Sequence, residues 1–274
     1  MNCRTSTLGR FLLLLLALHS VAFASDWTIN VNTAMTPDGE KIQHPTADQP
    51  VYYFPYCVGY QEVGSVEAGL KKLSADVPMI PSLAEALASQ GYLVTHVVGA
   101  KLDPPPSLIL VFRWGYLNSL VTTDDAGDGD TPLNKHYNER AHQQALLLVG
   151  VQERDLFDDR MSKRDLISSA DDKRYFVTIA AYDFAAYYAQ HKVVLLWVSR
   201  MSIPRQDLDI DQVVLPLIKT GTPFLGVETT EPQVINITAP AGTVTAGTPV
   251  VTGYTTQHAA QPAAPASTPA PPKQ

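Results

Sequence analysis

Cysteine is nearly absent: Cys3 and Cys57 are the two in 274 residues. Cys3 lies in a leading segment read below as removed, so the mature chain keeps one thiol and forms no internal disulfide. Eukaryotic secreted domains commonly carry several disulfides, and an exported core without them points to a bacterial envelope. Three catalytic strings are also missing. Without G-x-S-x-G, G-x-x-x-x-G-K or G-x-G-x-x-G there is no nucleophile elbow, phosphate loop or dinucleotide fingerprint. Acidic residues are absent from both ends, none preceding Asp26 and none following Glu231. The 27 Asp and Glu therefore share one stretch with all but three of the 20 Lys and Arg. Such an acidic body repels phosphate backbones, which excludes nucleic acid as an expected partner. No apolar run beyond the leading one is long enough for the roughly 20 residues of a membrane span.

The leading segment has the three parts of a secretory signal. Arg4 and Arg10 give it a positive start, residues 11–18 form a short apolar run, and Ala22-Phe23-Ala24 offers small residues to a signal peptidase. Cleavage is expected between Ala24 and Ser25. A lipid anchor is not, because its cysteine belongs directly after the apolar run, where Ser25 stands. The domain reading is a signal peptide over 1–24, a single α+β domain over 25–231 and an Ala/Pro/Thr-rich disordered tail over 232–274. That tail has no Asp, Glu or Arg and one Lys, and too little apolar surface to offset chain entropy. The expected location is periplasmic or secreted, with no integral membrane segment once the signal is removed.

Within the domain, strand patterns fall at 51–60, 92–98, 108–114, 175–182 and 193–201, the first broken by Pro55 into an edge or bulged strand. Ser82 and Glu85 have the spacing of a capping box and Gly91 that of a helix end. Further helices are expected over 138–149, 159–169 and 209–220, the last interrupted by Pro216. Residues 108–112 and 193–197 are continuously apolar, which predicts central strands covered on both faces. Tyr92-Leu93-Val94-Thr95 is echoed by Tyr175-Phe176-Val177-Thr178 with similar surroundings, suggesting a duplicated α-β-β-α unit. The expected fold is α+β: one mixed, largely antiparallel five-stranded sheet with helices packed against it.

Few residues point to chemistry. Asp124-Asp125-Ala126-Gly127-Asp128-Gly129-Asp130 resembles a calcium loop, but Ala126 and Lys135 occupy ligand positions, leaving a solvated acidic turn as the better reading. His136, Glu139 and His142, three apart on one helix, have ligand types suited to zinc; a polar exposed helix face explains them as well. Cys57, among tyrosines, reads as a buried small apolar residue. Tyr187, Tyr188 and the tyrosines near residue 53 suggest a sugar- or peptide-binding surface. No cofactor is implied. The leading expectation is an exported bacterial envelope protein acting as a non-enzymatic binding or interaction module toward an envelope protein or cell-wall component. Its alternatives are an exported hydrolase, metal-assisted through His136, Glu139 and His142, and a structural or assembly subunit.

Overall fold

The computed structural model describes residues 26–46, 48–65, 67–119, 132–152 and 161–239, the side chains of 132–138 and 162 excepted. Its first strand, β1 (Asp26–Met35), alternates Trp27, Ile29 and Val31 with Thr28, Asn30 and Asn32, a period that sends the apolar set to one face. β2 (Val51–Gly64) follows, then helix α1 (Met79–Ser89) and the short strands β3 (Tyr92–Val94), β4 (His96–Val98) and β5 (Lys101–Asp103). β6 (Leu108–Asn118) precedes helices α2 (Pro132–Val149) and α3 (Met161–Ser169). The remaining elements are β7 (Arg174–Asp183), α4 (Phe184–Gln190), β8 (Leu195–Pro204), α5 (Ile210–Gly221) and β9 (Gln233–Thr238).

Seven of these strands make one mixed sheet in the order β3-β2-β6-β7-β8-β1-β9, while β4 and β5 form a separate hairpin. β2 runs parallel to both β3 and β6, and every other neighbouring pair is antiparallel. The expected five-stranded sheet is thus corrected to seven strands plus a hairpin. β1 and β9 extend it beyond β8, with β9 lying past Glu231. The expected strand over 92–98 divides at Thr95, whose N–H donates to the Tyr53 carbonyl at 2.9 Å and whose hydroxyl donates to the Pro104 carbonyl. The duplicated unit also falls. Tyr92–Val94 is a three-residue edge strand parallel to β2, whereas Tyr175 and its neighbours lie in β7, antiparallel between β6 and β8.

One face of the sheet carries the main core. Leu108, Leu110, Phe112 and Tyr116 of β6 meet Val177 and Ile179 of β7, Trp197 and Met201 of β8, and the buried sides of α1 and α5. Each large side chain fully buried here contributes about 1.5–3 kcal/mol. α1 begins at Met79, ahead of the Ser82–Glu85 pair expected to cap it; the Ser82 N–H already donates to the Pro78 carbonyl at 3.0 Å. Gly91 ends that helix region as expected, at φ +83°, a conformation that suits a residue without Cβ. α5 runs unbroken through Pro216, and the backbone N–H of Asp209 donates to Gln212 Oε1 at 3.0 Å, fixing its start. Its last residue, Gly221, lies so close to β8 that an added Cβ would meet Met201 Sδ at 2.2 Å.

Among the described residues, the other face is covered at one end only. There α2 places Ala145, Leu146 and Val149 over Leu117 of β6 and Phe176 of β7. Asn32 holds the end of α2, its Nδ2 donating to the carbonyls of Leu147 and Leu148 at 3.1 Å each, and Ser202 Oγ adds a bond to the Leu148 carbonyl at 3.3 Å. These satisfy carbonyls the helix itself leaves open. Farther along the same strands the cover stops. Ile109 and Val111 are half-buried, so the prediction of two covered faces for 108–112 is corrected; in 193–197, Val193 precedes β8 and is 68% exposed, whereas Leu196 and Trp197 are both buried. Among the described residues no helix is long and apolar enough to cross a membrane.

Candidate functional site

The uncovered end of the second face is a trough with a volume of about 600 Å³. Ile109 and Val111 of β6 and Tyr182 of β7 line its floor, Phe54 and Tyr56 of β2 its near side, and Phe184, Tyr187 and Tyr188 of α4 its far side. Local sequence explains both sides. Asp183 caps α4 by accepting the Ala186 N–H at 2.8 Å, and the helix closes at His191 in the left-handed conformation. Its seven residues hold Phe184 and Tyr188 one turn apart, where their rings stack at 5.7 Å. On the opposite side β3 pairs only with Val51–Tyr53, so β2 is an edge from Phe54 onward and tolerates Pro55. A bulge between Cys57 and Gly59 then inserts Val58 into the rim.

The trough continues toward α2 into a second hollow of about 360 Å³, and Val111, Arg113 and Tyr182 line both. Here the floor becomes cationic. Arg113, Thr178, Arg200 and Asn32 are in register across β6, β7, β8 and β1, all on this face. With strands about 4.8 Å apart, the two arginine Cα atoms are separated by roughly 10 Å. The Arg113 side chain is exposed and, among the described residues, has neither a hydrogen bond nor an ion pair. Arg200 makes one bond, Nη1 to Asn32 Oδ1 at 3.4 Å, and burial holds its pKa below the usual guanidinium value. Under α2, Arg174 is fully buried and brought to about 10 by burial; it donates to Ser202 Oγ and to the Ser169 carbonyl.

Charges beside the first face are treated differently. Glu67 accepts from the Tyr116 hydroxyl at 2.7 Å and from Lys173 at 3.1 Å, and pairs with Arg205. The Tyr116 and Arg205 hydrogen bonds hold its carboxyl down to about 2. Arg205 also lies over the Tyr116 ring, 5.5 Å from its centre. This carboxylate is saturated with donors and ties the chain after β2 to the ends of β7 and β8.

Several sequence-predicted residues are placed by the structure. Tyr187 and Tyr188 do share a surface with an aromatic of β2, but it is Tyr56; Tyr53 is buried in the core. Cys57, expected to be buried, is exposed on the outer edge of β2 beside the bulge. Glu139 is exposed, His142 Nδ1 lies 3.4 Å from Asp171, and the side chain of His136 is outside the described residues. Among the described residues no three His, Cys, Asp or Glu side chains are grouped to hold a metal ion. A separate cleft of about 410 Å³ has Glu40, His44 and Glu228 in its wall, with Glu228 engaged by the Met35 N–H. Residues 124–130, Ala24 and Ser25 lie outside the described residues.

No protein-family model matches the chain, and no curated protein matches it in sequence. The trough is therefore read from its own chemistry. Among the described residues its lining has no carboxylate, imidazole or thiol. Aromatic rings and branched aliphatics offer contact area, and two guanidinium groups offer charge. That combination can hold a ligand by contact and by charge.

Proposed function

We propose that this chain is an exported protein of the bacterial envelope whose aromatic trough is the contact surface of a non-enzymatic binding module. The observation carrying this reading is an open apolar floor on central strands, beside exposed Tyr56, Tyr187 and Tyr188, with no carboxylate, imidazole or thiol among the described residues of the lining. One feature supports export: the leading residues have the three parts of a signal, with small residues just before the expected mature start at Ser25. The mature protein is then periplasmic or secreted.

The test is photo-crosslinking in the native cell, with benzoylphenylalanine replacing Tyr187 in the full-length chain. Ultraviolet-dependent adducts are expected at that position and not at exposed Asp165 on α3, in a mature protein whose N-terminal sequence starts at Ser25. No adduct at Tyr187, or a product retaining Met1 in the cytosol, rejects the reading. The same open face favours a second reading, an assembly subunit that covers the trough with another copy. Sedimentation at micromolar concentration decides it: a dimer that dissociates on Ile109→Asp supports assembly, and a monomer rejects it.

A further inference from the structure

The trough has two unlike ends on one continuous floor. Toward α4 it is aromatic and aliphatic; toward α2 it carries Arg113 and Arg200, with Val111 and Tyr182 common to both parts. Among the described residues neither arginine pairs with a carboxylate. The chain as a whole carries a net charge of −7, so two guanidinium groups without counter-charges on an apolar floor stand against the general balance. The end of α2 accounts in part for Arg200, because Asn32 links it to a helix terminus that favours cations. It leaves Arg113 unexplained.

The apolar end also limits what it can hold. Its floor strands are paired on both sides, Ile109 with Tyr182 and Val111 with Ala180 across one junction, so their backbone groups are already used. An extended peptide lying on the floor would find backbone partners only along the open edge of β2 and leave the rest of its own amides unmet. A hydrocarbon tail needs none. From Arg113 to Ile109 the floor runs four residues, about 13 Å at the strand rise. The chain beyond residue 239 contains no Asp or Glu and does not complement the arginines.

We propose that the trough binds a long-chain carboxylate as a free monomer, its head between Arg113 and Arg200 and its tail along Val111 and Ile109 toward Phe184. The acidic body repels an anionic membrane surface, which favours a single amphiphile over a vesicle. This inference rests on the reading of the trough as the contact surface and adds the ligand's chemistry.

Calorimetric titration of the full mature chain with laurate, kept below its micelle concentration, tests it. One laurate per chain is expected. Arg113→Gln should weaken binding at least tenfold and Arg113→Lys should recover part of the loss, while methyl laurate should bind weakly and be indifferent to both changes. Arg113 is exposed and unbonded, so the variants are expected to melt like the parent, and Tyr188→Asp offers an independent block of the tail end. Equal laurate affinity in the parent, Arg113→Gln and Tyr188→Asp overturns the proposal, as does binding to phosphatidylglycerol vesicles in preference to laurate. Absence of laurate binding with adducts persisting at Tyr187 overturns the ligand assignment alone. Loss of both removes the trough reading as well.

Discussion

Leu110 and Val111 are neighbours on β6 and meet different surroundings. Leu110 is fully buried in the core shared with α1 and α5; Val111 is half-buried on the floor of the trough. The contrast repeats along the sheet. Beside the first face the charges are matched, as Glu67 is with Tyr116, Lys173 and Arg205; on the second, Arg113 and Arg200 have no carboxylate partner among the described residues. One sheet therefore has a face finished by its own chain and a face finished only near α2. The first serves stability, and the second is where an outside molecule gains by burying apolar surface.

The largest effect that separates the faces is expected from Leu110→Ala, which should cost about 2–5 kcal/mol in urea unfolding because it leaves a cavity in a closed core. Val111→Ala, one residue away, should cost under about 1 kcal/mol, since water already reaches the site. Equal losses would mean that the two faces are equally closed. Next comes Glu67→Gln, expected to cost about 1–2 kcal/mol at neutral pH, less than the full shift implies because the carboxylate is 30% exposed and screened by solvent. Its sign with pH follows from the lowered carboxyl. The stabilisation is complete above the ordinary value of 4.5 and is lost as pH falls toward about 2. Melting temperature across that window should fall more steeply for the parent than for Glu67→Gln. Smaller still is Arg113→Gln, expected to change stability by less than about 0.5 kcal/mol. A larger loss would show that Arg113 has a structural partner. The smallest effect is that of Cys57→Ser, also within about 0.5 kcal/mol; the native thiol should react with maleimide without denaturant, as an exposed group does.

How much of this was legible depends on where each signal is stored. Residues 108–114, 175–182 and 193–201 read as strands because β-branched and aromatic residues dominate them, and β6, β7 and β8 occupy those positions. β1 was equally legible, since Trp27, Ile29 and Val31 alternate with polar residues, and the five-strand expectation passed over it; β9 is marked only by the Val and Ile of Gln233–Thr238, enough to suggest a loose strand and not its place beside β1. α4 is short, and its one local mark is Asp183 before Phe184. The trough was legible only in fragments. Tyr187 and Tyr188 stood out, but their meeting with Tyr56 depends on β2 lying parallel beside β6, a pairing between distant segments. Continuous apolarity in 108–112 signalled central strands correctly; it gave no information on whether a helix or a ligand covers the second side. Arg113 and Arg200 become a pair only through the register of β6, β7 and β8.

The pairing of β1 has a consequence for the order of events as the chain is made. β1 contains the first residues of the folded body, yet its two neighbours, β8 and β9, come from the far end of the sequence; Thr28 bonds Asn236 across a separation of 208 residues. A chain emerging from its N-terminus must hold Trp27, Ile29 and Val31 without sheet partners until nearly all the rest has appeared. The full seven-strand order thus waits until β8 and β9 have been made, and a truncation that removes β9 leaves one side of β1 without its partner.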